Sequence, residues 1–313
     1  MLAVVDRVDV TVVIDNYLDV LLAGQEGVTR YQATDFRSAD QLVAEHGFSA
    51  VVSVERDGNQ QTLLYDAGLT EHAVARNLDV LQVPVGDLRA IVISHGHADH
   101  HGGLEGLARR RGRTRLPLVI HPDAWRERRV VFPTGGELEL PPPSRRDLEA
   151  EGLEVVEERA HSLLLDDAVL ISGQVERVTE FETGFPIHEA RDGDGWAPDP
   201  MIWDDQALIL NVRNQGLVIV SGCSHAGVVN VVRHAQHLAG EQRIAGLIGG
   251  LHLTGGLFED RIGPTVDALR AAEIGRILPA HCSGWKAVHA VARAMPEAFV
   301  QCAVGTTVTF EAA

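Results

Sequence analysis

The sequence predicts a single α/β domain in which two mixed β-sheets pack together and helices lie outside them. Strand hairpins alternate with strand–helix units along the chain, and no clean linker divides its 313 residues. Apolar residues make up 45% of the chain, which is enough for a sizeable core. Single α/β domains often exceed the usual size of about 150 residues, so we expect one domain spanning 1–313.

The N-terminal part is predicted to begin with a strand and a hairpin. Residues 8–15 alternate apolar and polar side chains, and the polar turn 57–61 joins two further strand-like runs. Thr70 is a suitable helix N-cap, and 90–94 is a continuous apolar run typical of a strand covered on both faces. The predicted elements here are strands at 8–15, 50–56, 62–68, 90–94 and 117–122 and helices at 70–81 and 103–110.

The middle of the chain, 123–205, is less regular and is predicted to be an insertion or a lid over the site. It contains strand-like runs at 153–158 and 168–173, with loops expected at 141–146 and 191–200. Regular alternation returns after it. The elements predicted there are strands at 207–212, 217–221, 244–248, 274–278 and 306–310 and helices at 228–239, 263–273 and 285–295.

Charge and cysteine content narrow the classes of function. The formal net charge is −17, which repels phosphate backbones and disfavours extended nucleic-acid binding. Three cysteines, Cys223, Cys282 and Cys302, are too few for a disulfide framework and fit a reducing cytoplasm. Residues 1–16 carry charges within their apolar run, so we predict a strand there rather than a signal peptide, and no membrane partner. The sequence leaves a homodimer open.

The segment 94-SHGHADHHGGL-104 concentrates groups that bind metals. Each neutral imidazole carries a donor and an acceptor that need partners, so a buried core has little use for four of them. Imidazole nitrogens and a carboxylate are ligands of a borderline divalent ion such as Zn²⁺. Because four ligands exceed the need of one open site, we predict two ions, with His95 and His97 on one and Asp99 and His100 on the other. Zinc is the expected metal, with manganese or iron as alternatives.

Three later histidines follow apolar strands and have glycines nearby. His225, His252 and His281 each stand at the predicted carboxyl end of a strand, where α/β folds place ligands. We predict His225 and His281 as metal ligands and His252 as a ligand or a substrate contact. The sequence does not decide whether His121, His161 and His188 line the site. His46 is expected to be exposed.

The H-x-H-x-D-H order after a buried strand resembles the metallo-β-lactamase superfamily, over about residues 9–310. The resemblance implies an αββα sandwich, and it implies that Asp66, before Gly68, orients a ligand histidine. One departure concerns the bridging aspartate that the superfamily usually places after a strand like 217–221. Cys223 stands in that region, as a ligand or as an inert thiol. The usual third-histidine motif is also missing, and 203-WDDQAL-208 offers Asp204 or Asp205 to the site instead.

The combination of 94–104 with 222-GCSHAGVVN-230, 249-GGLHL-253 and 280-AHCSGWKA-287 resembles one branch of that superfamily. Its members are similar to 7,8-dihydropterin-6-methyl-4-(β-D-ribofuranosyl)-aminobenzene-5′-phosphate synthase. The reaction of that synthase joins a pterin diphosphate to an aminobenzene ribose phosphate. Fold and motif do not fix the substrate, so the function stays open at this point.

The first functional hypothesis is a hydrolase that uses a hydroxide at a dinuclear site on an ester, lactone or phosphodiester of a small, anionic molecule. Asp99, His252 and His281 are its candidate catalytic residues. The alternative is a pterin-type transferase, for which Arg109–Arg115 or Lys286 would bind phosphate. A nucleic-acid phosphodiesterase is disfavoured by the charge, and a mononuclear iron dioxygenase is a further alternative. Diiron reductases of this fold carry Glu where His97 stands, which disfavours that activity.

Overall fold

The computed structural model describes residues 1–33, 35–37 and 41–312. Its strands are β1 (Val4–Val5), β2 (Arg7–Ile14), β3 (Val28–Arg30), β4 (Ser49–Arg56), β5 (Asn59–Tyr65), β6 (Leu88–Val92), β7 (Leu116–Ile120), β8 (Arg128–Val131), β9 (Glu137–Leu140), β10 (Leu153–Glu157), β11 (Ser162–Leu164), β12 (Val169–Ile171), β13 (His188–Asp192), β14 (Gly195–Pro198), β15 (Ala207–Val212), β16 (Gly216–Ser221), β17 (Ile244–Gly250), β18 (Arg276–Ala280) and β19 (Thr306–Glu311). Its α-helices are α1 (Ala73–Val80), α2 (Ala98–His101), α3 (Leu104–Arg111), α4 (Arg145–Ala150), α5 (Val228–Ala239), α6 (Ile262–Ala271) and α7 (Trp285–Ala294).

Two large mixed sheets form the centre of the fold. The first has the order β11-β12-β15-β16-β17-β18, with β1 beside β15, and the second has the order β10-β7-β6-β5-β4-β2-β19-β3. Pairing is parallel where a helix or a longer connection lies between strands, as from β16 to β18 and from β5 to β7. The hairpins β4–β5 and β15–β16 are antiparallel.

Three apolar layers hold the sheets and helices together. Side chains such as Val52 and Val220 fill the space between the two sheets. Val231 of α5 and Val291 of α7 pack on the outer face of the first sheet, and Leu107 of α3 packs on the outer face of the second. The predicted αββα sandwich of two mixed sheets is therefore confirmed.

The middle of the chain is more ordered than the sequence indicated. A third, four-stranded sheet has the order β14-β13-β8-β9, and β13 and β14 form a hairpin where a loop was expected over 191–200. The helix α4 begins inside the other expected loop, after its N-cap Ser144. The strands of the third sheet have four or five residues each, too few to show an apolar period. Within 123–205, β11 and β12 belong to the first large sheet and β10 to the second, so this segment contributes strands to all three sheets. Its role as a lid stays a prediction.

One edge of the sandwich collects the polar segments of the sequence. Asp66 follows β5, the histidine-rich segment follows β6, and His225, His252 and His281 follow β16, β17 and β18. The parallel pairing of these strands brings their carboxyl ends to one edge of each sheet. No helix in the described part of the chain is long and apolar enough to cross a membrane.

Candidate metal centre

Three histidine nitrogens meet at the edge where the parallel strands end. His95 Nε2 lies 3.0 Å from His97 Nδ1 and 3.1 Å from His225 Nε2. All three residues are buried. We call them the first donor group.

Hydrogen bonds on the far side of the ring assign the proton of His95. Ser94 Oγ donates to Asp66 Oδ2 at 2.7 Å, so it accepts from the Nδ1–H of His95 at 2.9 Å. The proton is assigned from this network. His95 Nε2 is left with its lone pair directed at the other two nitrogens.

A second relay assigns the proton of His97. His188 Nδ1 donates to the backbone oxygen of Asp199 at 2.9 Å, which leaves His188 Nε2 as an acceptor. His97 Nε2 lies 3.0 Å from that atom and therefore donates to it. The lone pair of His97 Nδ1 consequently faces the lone pair of His95 Nε2.

Facing lone pairs at this distance repel unless a cation lies between them. Burial holds the pKa of His95, His97 and His225 well below the usual range, so protons do not supply that cation. Two nitrogens bound tetrahedrally to Zn²⁺ at about 2.05 Å are about 3.3 Å apart, close to the observed separations. The first donor group therefore fits a divalent ion.

Asp99, His100 and His281 form a second donor group beside the first. Asp99 Oδ2 lies 3.1 Å from His281 Nε2 and 3.8 Å from His100 Nε2. Asn16 Oδ1 accepts from His281 Nδ1 at 3.1 Å, so His281 Nε2 presents a lone pair to a carboxylate. That nitrogen has no partner of hydrogen-bond geometry among the described residues, and a cation would satisfy both atoms.

The charges around this second group also favour a cation. Burial opposes ionisation of Asp99, but His100 and His281 hold its pKa well below the usual range. Burial likewise opposes protonation of His100, but Asp66 and Asp99 outweigh it and raise the pKa of His100 to about 9. An ion bound here would displace the His100 proton and take over its role as the positive charge between two carboxylates.

Comparison with known proteins places this arrangement in a family. Residues 45–239 match the metallo-β-lactamase superfamily. The chain belongs to the metallo-β-lactamase superfamily. Its match to the family covers the segment that carries Asp66, the histidine-rich loop and His225.

Two relatives and one solved structure are similar over most of the chain. The 7,8-dihydropterin-6-methyl-4-(β-D-ribofuranosyl)-aminobenzene-5′-phosphate synthase of Methanocaldococcus jannaschii is 28% identical over 273 residues, which cover 85% of this chain and 90% of the relative. An uncharacterised protein of the same organism is 30% identical over 250 residues, covering 78% and 86%. The crystal structure of Tm1679, a metal-dependent hydrolase of the β-lactamase superfamily, aligns with a TM-score of 0.73 at 22% identity over 98% of this chain and 99% of that chain. The structural likeness shows a shared fold.

Cys223 lies between the two donor groups of this metallo-β-lactamase domain. Its Sγ is 3.2 Å from His100 Nε2, and it lies within 4.8 Å of ligand atoms of His95 and His225 on one side and of His100 and His281 on the other. Burial raises the pKa of the Cys223 thiol, and a neighbouring metal ion would reverse that effect by stabilising the thiolate. The sulfur therefore lies within reach of both donor groups. This position is the one required if Cys223 takes the place of the bridging aspartate.

We expect Cys223→Ala to lower the metal content by at least one ion per chain and turnover by roughly tenfold or more, because the variant lacks the sulfur that would contact ions in both donor groups. Elemental analysis and steady-state kinetics measure both. Cys302→Ala is the matched control, since Cys302 is equally buried but packs in the layer between the sheets. Unchanged metal content and turnover in Cys223→Ala would make Cys223 a packing residue.

The predicted aspartates outside the motif hold the loops rather than join a donor group. Asp66 accepts from Ser94 N, Ser94 Oγ and His100 Nδ1, all at 2.7 Å, so it orients His100 directly and His95 through Ser94. Asp204 accepts from Gly96 N at 2.8 Å, between His95 and His97. Asp205 Oδ2 accepts from Ala226 N at 2.9 Å, next to His225.

His252 lies outside both donor groups. Its ring centroid is 4.1 Å from that of His225 and 4.7 and 5.2 Å from those of Phe258 and Phe185. A cavity of about 20 Å³ adjoins it. The partly buried ring therefore packs among His225 and two phenylalanines.

Sequence reasoning missed several residues that support the centre. Arg128 and Asp199 lie in or beside the third sheet, whose strands were not predicted, and His188 was left unassigned. Asn16 follows β2 and could have been found, because it stands at a strand end like the other site residues. His46 is largely exposed, as expected, but its Nε2 lies 3.5 Å from Asp99 Oδ2, at the rim of the second donor group.

His188→Ala is expected to weaken metal binding by roughly 10–100-fold, because His97 then loses the acceptor that orients its ring and fixes its proton. Titration of the metal-free protein with Zn²⁺ measures the affinity. His161→Ala is the control, since His161 is exposed. Equal affinities in the two variants would contradict the proposed relay.

Proposed function

We propose that this protein is a metal-dependent hydrolase that binds two divalent ions, most readily Zn²⁺, and cleaves an ester, lactone or phosphodiester bond of a small molecule. One observation carries the proposal. The buried lone pairs of His95 Nε2 and His97 Nδ1 face each other at 3.0 Å, and those of Asp99 Oδ2 and His281 Nε2 at 3.1 Å, with no proton assigned between them. Cations are the ligands that such sites accommodate.

The chain's residues hold and shape this centre. Bound divalent ions would lower the pKa of water to near 7 and polarise the scissile group of the substrate. Asp66 and Ser94 keep His95 and His100 in the tautomers that present Nε2 to the centre. His188 does the same for Nδ1 of His97, and Asn16 for Nε2 of His281. Because Asp66, Ser94 and His188 are buried, little reorganisation of these groups is needed when substrate binds.

Substrate access is proposed on the side of Asp99. The side chain of Asp99 is 19% exposed, whereas the five histidines of the two donor groups are buried. His46, with a side chain 64% exposed, stands beside it. We therefore place the scissile group near Asp99, with His46 as a contact to the part of the substrate that remains in solvent.

The surroundings of the basic residues favour hydrolysis over transfer from a diphosphate. A transferase of the pterin type needs cations that can bind phosphate, and the candidates for this were Arg109–Arg115 and Lys286. In the structure, these side chains form ion pairs with carboxylates: Arg109 with Glu71 and Glu151, Arg110 with Asp79, Arg113 with Glu151, Arg115 with Glu154, and Lys286 with Glu259. Arg111 instead donates to the backbone oxygens of Val85 and Leu88.

The similarity to the archaeal synthase favours a second candidate, a transferase acting on a related pterin substrate. It extends over 85% of the chain, well beyond the metal motif. In that candidate the same two donor groups would hold the ions, whose positive charge would stabilise a diphosphate leaving group.

The test is to load the purified protein with Zn²⁺ or Mn²⁺ and to assay bis-p-nitrophenyl phosphate, p-nitrophenyl acetate and a simple γ-lactone. We expect metal-dependent turnover of at least one of them, lost in chelator and in His97→Ala. A metal-loaded protein that cleaves none of the three, but releases diphosphate from a pterin diphosphate only when an arylamine is present, would replace the hydrolase by the transferase.

A further inference from the structure

A third group of metal-binding side chains lies beside the two donor groups. Cys223 follows β16, His252 follows β17 and Cys282 follows β18, so three neighbouring parallel strands each contribute one residue. The two sulfurs and one ring nitrogen of His252 lie within 4.8 Å of one another. Cys282 and His252 belong to neither of the first two groups.

The His252 imidazole is the group of this cluster that lacks a hydrogen-bond partner in the described part of the chain. Both ring nitrogens of His252 are buried and have no hydrogen bond within the described ranges of the chain. The two sulfurs have weak partners: Cys282 Sγ donates to the backbone oxygen of Cys223 at 3.5 Å, and Cys223 Sγ lies 3.2 Å from His100 Nε2. A buried imidazole without a hydrogen bond is unfavourable, and a bound ion would satisfy one of its nitrogens.

The backbone makes room for this cluster. A Cβ atom at Gly250 would lie 2.5 Å from Cys282 Sγ and 3.2 Å from Cys223 Cα. Any larger residue at this position would therefore displace the Cys282 sulfur. Phe185 and Phe258 pack against the His252 ring.

We propose that Cys223, His252 and Cys282 form an additional binding site, adjoining the centre, for a thiophilic d¹⁰ cation such as Zn²⁺ or Cu⁺. Soft thiolates and an imidazole select such ions. With metal–sulfur bonds of about 2.3 Å, two sulfurs on opposite sides of one ion are about 4.6 Å apart, which the cluster can accommodate. On binding, each thiol releases its proton to solvent and its sulfur donates an electron pair to the ion, with no change of oxidation state.

This site shares Cys223 with the centre between the two donor groups. An ion held by Cys282 and His252 would compete for the Cys223 sulfur or bridge to the centre through it. The proposal concerns ion binding alone and does not depend on which reaction the centre performs.

The test is to titrate the metal-free protein with Cd²⁺ and to follow the ultraviolet absorption of cadmium–thiolate bonds together with the number of cadmium ions bound. Cys282→Ser is expected to bind one ion fewer than the wild-type protein and to lose about half of the absorption or more, because one of two sulfurs is removed. Cys302→Ser, the matched control, is expected to behave like the wild type, because Cys302 packs between the sheets.

A second variant leaves both sulfurs in place. His252→Ala is expected to keep the absorption at saturation but to bind its last cadmium ion roughly tenfold or more weakly, since one of three ligands is lost. The proposal is overturned if Cys282→Ser and His252→Ala both titrate like the wild-type protein. Circular dichroism of each variant shows that the comparison is made on folded protein.

Discussion

Replacing His97 with alanine is expected to remove one bound ion per chain and to lower turnover by about a thousandfold or more, while the protein stays folded. The ion of the first donor group would lose a nitrogen whose lone pair faces His95 Nε2 at 3.0 Å. A bound metal ion stabilises the transition state by several kcal/mol, and each 1.36 kcal/mol of activation free energy changes the rate about tenfold. The fold survives because His97 lies after the end of β6, outside the apolar layers.

Asp99→Ala is the companion variant for the second donor group. It is expected to lose the other ion and a similar amount of turnover, because Asp99 supplies the carboxylate that faces His281 Nε2. His237→Ala, on the exposed face of α5, is the control and should match the wild type. Elemental analysis, steady-state kinetics and circular dichroism are the measurements. Full metal content with full turnover in either variant would show that the donor groups are wrongly assigned.

Replacing Arg128 with methionine is expected to lower the free energy of unfolding by about 3–5 kcal/mol. Arg128 is fully buried, and its guanidinium pairs with Asp204 at 2.8 Å and with Asp199 at 3.2 Å. Methionine fills much of the volume but leaves the buried carboxylate of Asp204 without its cation, and leaves Asp199 with Arg126 alone, at 3.3 Å. The damage should extend to the centre, because Asp204 also accepts from Gly96 N, between the two histidines of the first donor group.

Arg129→Met provides the matched control one residue along β8. Arg129 is partly exposed and pairs with Glu137 and Glu189 at the surface, so its loss should cost less than about 1 kcal/mol. Urea unfolding in the presence of a chelator measures both variants without a contribution from metal binding. Equal losses of stability in the two variants would refute the importance of the buried pair.

The sequence was sufficient to predict the packing of two mixed sheets and most of the residues that form the two donor groups. Buried strands such as β6 and β16 show as continuous apolar runs, and His95 and His225 stand directly after them. A residue that follows a parallel strand lies at one edge of its sheet, so periodicity predicts the edge for each histidine. His95 and His225 follow strands of different sheets, and the packing of the two sheets brings them together.

The supporting residues could not be predicted because their partners come from tertiary structure. β8 and β13 are short and rich in charged residues, so their sequences do not predict strands. Arg128 looks like an ordinary surface residue in the sequence, because only the fold brings Asp199 and Asp204 to it. His188 is likewise defined by two contacts, one to His97 and one to the backbone of Asp199, which are distant in sequence. Cys282 follows His281 directly, yet only the packing of β16 beside β17 and β18 brings it to Cys223.

The measurement that tests the central claim most directly is the number of metal ions bound by the Cys282→Ser protein, determined by elemental analysis after Zn²⁺ loading and removal of free metal. This variant lacks the third cluster but keeps all six residues of the two donor groups. We predict two zinc ions per chain. A folded protein that holds one ion or none under these conditions, or that is purified with a single iron which zinc does not replace, would contradict the dinuclear centre.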